Sequence, residues 1–153
     1  MSEAESMATS EVVTPTDQLM AAPIATVSGV IGSLGLVLGI WVAEELRAGA
    51  GTDVAAVTLA VCYATYAGVA LTRGGPREIQ IENAFLGLGL VLVGLGLWHR
   101  PEWLALGWAL HGGWDLLHRR EHHVLGVAGV PPWYVITCLV WDPIVAVGIL
   151  LVL

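Results

Sequence analysis

The residues with the clearest chemical potential lie in one stretch, Gly107-Trp108-Ala109-Leu110-His111-Gly112-Gly113-Trp114-Asp115-Leu116-Leu117-His118. His111, Asp115 and His118 are spaced i, i+4 and i+7. On a helix turning 100° per residue, their side chains fall within roughly 60° of circumference, on one stripe. Two imidazoles and a carboxylate so arranged can hold a cation, pair with one another or pass a proton.

Each of these uses needs apolar surroundings, and the composition supplies them. The chain has 153 residues, of which 56% are hydrophobic and 12% charged. Soluble domains have roughly 25% charged residues, so the bilayer is the expected solvent. Net charge is −7, from thirteen acidic residues against six arginines and no lysine, which excludes a basic nucleic-acid footprint. Cys62 and Cys138 lie in apolar runs and read as small core residues rather than a disulfide framework.

The fold class expected is all-α, an integral membrane bundle of five transmembrane helices behind a disordered acidic N-terminal tail at 1–21. The tail carries Glu3, Glu5, Glu11 and Asp17 and lacks the basic start and apolar core of a signal peptide. The rest, 22–153, reads as a single domain. Its spans fall at about 24–43, 54–72, 79–98, 102–118 and 133–153, each near the ~20 residues that cross a hydrocarbon core. Glu44, Glu45 and Arg47 end the first span, Arg73-Gly74-Gly75-Pro76-Arg77 parts the second from the third, and His99-Arg100-Pro101-Glu102 forms a hairpin. Helices are required because a lipid-exposed backbone must satisfy its own hydrogen bonds.

Ser28-x-x-x-Gly32 and Gly35-x-x-x-Gly39 in the first span, with Gly87, Gly89, Gly94 and Gly96 in the third, allow close helix approach. Internal packing is the favoured use and a homo-oligomer contact the alternative. Arg73, Arg77, Arg119 and Arg120 share one side with the N-terminus, which the positive-inside rule assigns to the cytoplasm of a multi-pass cell-membrane protein.

Counting 1.5 Å of rise per residue places Asp142 roughly 13 Å inward, at about the level of His111, and Glu82 near Asp115. Tyr66 has a compatible depth. A central Asp costs about 2.5 to 3.5 kcal/mol to insert, so Asp115 and Asp142 require compensation by a cation, by imidazolium pairing or by water. In the metal reading His111, His118 and Asp142 are the ligands of zinc, iron or manganese. Asp115 or Glu82 would take the proton of a metal-bound water during hydrolysis of a lipid-like substrate, the reaction expected if the protein is an enzyme. The alternatives are a small proton- or ion-coupled transporter and a structural or accessory subunit of a membrane complex. Haem is disfavoured because no second deep histidine lies on another span.

His99 reads as an interfacial side chain, and His122 and His123 as members of a solvated loop. Trp98, Trp103 and Trp133 suit an aromatic belt, while Trp108, Trp114 and Trp141 lie deeper and would wall a pocket. Pro143 removes a backbone donor beside Asp142 and frees the carbonyl of Leu139.

Gly107-Trp108, His111, Trp114-Asp115 and His118, followed by Cys138 and Asp142-Pro143, resemble a family of small uncharacterised prokaryotic membrane proteins, a domain of unknown function. The resemblance covers the C-terminal third and implies a multi-spanning topology and the location of a site, without supplying a reaction. A second histidine often follows the position of His118 in that family, where this chain has Arg119. A looser similarity, to the transmembrane zinc hydrolases of the alkaline ceramidase and adiponectin receptor group, rests on His and Asp residues contributed by several spans.

Overall fold

The computed structural model describes residues 15–118 and 130–153, with side chains from residue 22 onward. Five α-helices make up the described residues: α1 Pro15–Leu46, α2 Ala50–Arg73, α3 Pro76–Trp98, α4 Glu102–His118 and α5 Pro132–Val152. Four are long and apolar enough to cross a membrane: α1 from Ala22, α2, α3 and α5. The fourth helix in chain order, α4, has 17 residues. At 1.5 Å per residue this described part is about 26 Å long.

The described part of α1 begins at Pro15, inside the stretch expected to be tail. Residues 1–14 of the expected tail, and the loop histidines His122 and His123, lie outside the described residues.

Short connections make α1 to α4 successive antiparallel neighbours. Contacts between α1 and α5 close the five helices into a ring, and α2 also touches α4 across it. The α1–α2 turn is built by Glu44, whose Oε1 accepts the Gly49 N–H at 2.8 Å and whose Oε2 accepts the Gly51 N–H at 3.0 Å. This carboxylate satisfies donors that the start of α2 would otherwise leave open. Gly49 itself has φ +83°, a conformation natural to glycine.

Small residues set the helix spacings, though not all of those expected. A Cβ on Gly32 would come within 2.3 Å of the Trp141 ring, and one on Gly148 within 2.3 Å of Val37, so these two positions bring α1 and α5 together. Gly35, Gly39 and Gly87 have nothing within 4 Å of such an atom. Among the described residues, the exposed Gly35-x-x-x-Gly39 pair therefore takes no part in close helix packing.

Gly89 and Gly87 provide a matched comparison on α3. A Cβ at 89 would lie 2.3 Å from Tyr63 Cδ1, on a fully buried ring whose hydroxyl is fixed to the Gly107 carbonyl at 2.9 Å. Gly89→Ala is expected to destabilise the protein by about 1–3 kcal/mol through overpacking. Gly87→Ala should be neutral or stabilising by up to about 1 kcal/mol through helix propensity. Thermal unfolding of both variants in the same detergent checks the contrast.

Candidate metal centre

The inner face of α4 consists of Leu104, Trp108, His111, Asp115 and His118, all buried. The i, i+3, i+4 and i+7 spacings hold them on one stripe facing the ring interior. Gly112 lets α5 come close to this stripe, since a Cβ there would lie 3.1 Å from the Cβ of Asp142.

That approach brings Asp142 to His111. His111 Nδ1 lies 2.8 Å from Asp142 Oδ2 and 3.3 Å from Asp115 Oδ2, and all three side chains are fully buried or within 1% of it. The shorter contact is a hydrogen bond, whereas Asp115 Oδ2 has no hydrogen-bond partner among the described residues. The other oxygen of Asp115 accepts the hydroxyl of Tyr66 from α2.

His111 Nε2 and Asp142 Oδ1 are also buried without hydrogen-bond partners among the described residues. Leaving a buried polar atom unpaired costs about 1–3 kcal/mol, more when it is charged. Each of these three residues carries one such atom, as do the Trp108 and Trp141 indoles. One ligand atom from each of His111, Asp115 and Asp142 falls within 4.8 Å of the other two. Two metal–ligand bonds of about 2.0–2.2 Å span a comparable distance, so this group could hold a metal ion.

Glu82 and His118 form a second group, one turn along α4. His118 Nε2 is 2.9 Å from Glu82 Oε1, and His118 Nδ1 is 2.9 Å from the Trp114 carbonyl. The Trp114 indole N–H donates to Glu82 Oε2 at 3.0 Å. His118, expected to be a ligand, thus has both ring nitrogens engaged apart from the triad. Asp115, expected to accept a proton, sits within the triad instead.

Aromatic rings frame both groups. Tyr63 meets His111 edge-on with centroids 5.1 Å apart, Tyr66 lies 4.5 Å from His118, and Phe85 stacks on Trp114 at 4.0 Å. Of the deep tryptophans, Trp114 is a hydrogen-bond donor to Glu82, Trp108 is fully buried on the α4 stripe, and Trp141 packs at Gly32 of α1. Trp98, Trp103 and Trp133 are exposed near helix ends, and His99 is exposed at the end of α3. Pro143 lies inside α5, so the Leu139 carbonyl lacks its usual helical N–H donor beside Asp142.

The roles of Trp114 and Gly112 are absent from the sequence reading. A glycine facing a neighbouring span and an indole four residues before a histidine were available signals, but neither identifies its partner on another helix. Trp114→Phe preserves the stack on Phe85 and removes the donor to Glu82. A loss of about 1–3 kcal/mol is expected, measurable by thermal unfolding against a Trp98→Phe control at the exposed end of α3.

The sequence matches a family of unknown function, DUF6010, over residues 24–152. No curated protein and no solved structure matches the chain, and the analogy to transmembrane zinc hydrolases gains no support. The matched region contains Glu82, His111, Asp115, His118 and Asp142, together with all of α2 to α5. The chain belongs to this family of unknown function.

Proposed function

We propose that this chain is a five-span cell-membrane protein that holds a divalent cation between α4 and α5 on His111, Asp115 and Asp142. The observation that carries the proposal is the convergence of two buried carboxylates on one imidazole, with an unpartnered polar atom on each residue. A neutral His111 has one Nδ1–H to offer and two carboxylate oxygens facing it. A divalent cation balances both negative charges and takes the place of that hydrogen on Nδ1, the ring nitrogen that faces both carboxylates. Mixed imidazole and carboxylate donors suit zinc, iron or manganese.

The assignment of α4 as a fifth span rests on its place in the ring beside α3 and α5. The arginine distribution supports a cytoplasmic N-terminus.

Hydrolysis of a lipid-like substrate is a further step from the same site. In it the cation would polarise a carbonyl and activate water, with Glu82 as the nearby proton acceptor. Fully enclosed donors resemble closed sites more than sites that keep an open coordination position, so the proposal centres on cation binding. Proton or ion transport draws support from a different observation: Tyr66, Asp115, His111 and Asp142 link three helices through consecutive polar contacts.

Elemental analysis of full-length protein purified in detergent is expected to find about one equivalent of zinc, iron or manganese. Asp142→Asn combined with His111→Ala should remove it. Chelation should lower thermal stability, since an ion present at 100 times its dissociation constant contributes about 2.7 kcal/mol. Metal-free protein whose melting is unchanged by added metal or chelator would overturn the proposal.

A further inference from the structure

The contacts of His118 fix where its protons must be. Its Nδ1 faces the Trp114 carbonyl at 2.9 Å. A backbone carbonyl only accepts, so Nδ1 is the donor and carries a hydrogen. In a neutral imidazole Nε2 would then present a lone pair, yet it lies 2.9 Å from Glu82 Oε1. A lone pair and an ionised carboxylate oxygen repel at that distance, and a hydrogen bond there requires a proton between them. Glu82 Oε2 is already served by the Trp114 indole N–H.

We propose that Glu82 and His118 form a proton-binding site, separate from the triad, in which one proton is shared between Glu82 Oε1 and His118 Nε2. Whether written as imidazolium with carboxylate or as imidazole with carboxylic acid, the pair has no net charge. That neutrality suits side chains only 1% and 2% exposed, because a net charge in apolar surroundings is costly.

From α2, the Tyr66 ring lies 4.5 Å from His118, and its hydroxyl is committed to Asp115. On α4 itself, Asp115 stands about one turn back. On α3, Glu78 accepts the Gly75 N–H at the helix start, beside Arg77, while Arg73 ends α2; both arginines are exposed. From α5, Tyr134 reaches Tyr66 with ring centroids 6.0 Å apart. Among the described residues, the partners of the Glu82 carboxylate are His118 and the Trp114 indole.

This site makes the end of the bundle where α2 ends and α3 begins its proton-handling end. Glu82 cannot act as a free base while it shares that proton. Any proton it accepts from the neighbouring group requires the shared one to move on.

The test uses full-length protein stripped of metal, so its outcome does not depend on cation binding. Nitrogen-15 NMR of labelled histidines at neutral pH reports which ring nitrogens carry hydrogen, and infrared spectroscopy reports a buried carboxylic acid. Signals altered in His118→Gln or Glu82→Gln identify the pair. Glu82→Gln is close to isosteric, as its amide N–H can donate to Nε2 and its oxygen can accept from Trp114, so the fold is expected to persist.

In the unsubstituted protein, His118 should show a protonated Nε2, or else an unprotonated Nε2 with a carboxylic-acid band that is lost in Glu82→Gln. Either result places the proton in the pair. The Glu82→Gln protein should show an unprotonated Nε2 and no such band. An unprotonated Nε2 in the unsubstituted protein, with no band sensitive to Glu82→Gln, would overturn the proposal.

Discussion

Two carboxylates turned toward one imidazole nitrogen inside an apolar ring of helices are the constraint on which the rest of this structure depends. Asp115 and Asp142 are fully buried, and His111 supplies a single nitrogen between them. Such charges would be strongly destabilising alone, and removing one partner from a buried pair typically costs 3–5 kcal/mol. Exposed pairs in the same chain are of another order. Arg47 with Asp53, and Arg100 with Glu102, sit largely in the open, where pairing contributes about 0–1 kcal/mol.

The packing follows from that demand. Gly112 admits Asp142 to the α4 stripe, Tyr66 brings a hydroxyl from α2, and Tyr63 closes one side of His111 while its own hydroxyl is held by the Gly107 carbonyl. The second polar group is satisfied differently, with every oxygen of Glu82 and both ring nitrogens of His118 in a hydrogen bond. Two neighbouring groups on one helix therefore have different chemistry: one is internally complete, and the other presents free lone pairs. The difference is set by α3, which contributes a carboxylate only to the end of the stripe.

Much of this was legible in the sequence. Helical spacing alone put His111, Asp115 and His118 on one face, and counting rise from the span ends put Asp142 level with His111, its hydrogen-bonded partner. The same counting matched Glu82 to Asp115, whereas Glu82 meets His118 a turn away. Rise per residue estimates depth but carries no information on helix tilt or on which way a side chain turns. The same gap explains Gly35 and Gly39, whose spacing favours close approach without saying toward which neighbour. The Glu44 cap was equally hidden: a carboxylate at a span end reads as a solvated charge until the turn folds back onto it. That α1 includes Pro15–Met20 shows that helix can continue beyond an apolar span into polar sequence.

The central claim concerns the donors of the triad, and X-ray absorption spectroscopy of the full-length protein loaded with zinc addresses it most directly. Coordination by His111, Asp115 and Asp142 predicts one tightly held ion with only nitrogen and oxygen neighbours, at about 2.0–2.2 Å. The imidazole contribution should be lost in His111→Ala. A first shell containing sulfur at about 2.3 Å, or a spectrum indistinguishable from hydrated zinc and unaffected by His111→Ala, would contradict the account.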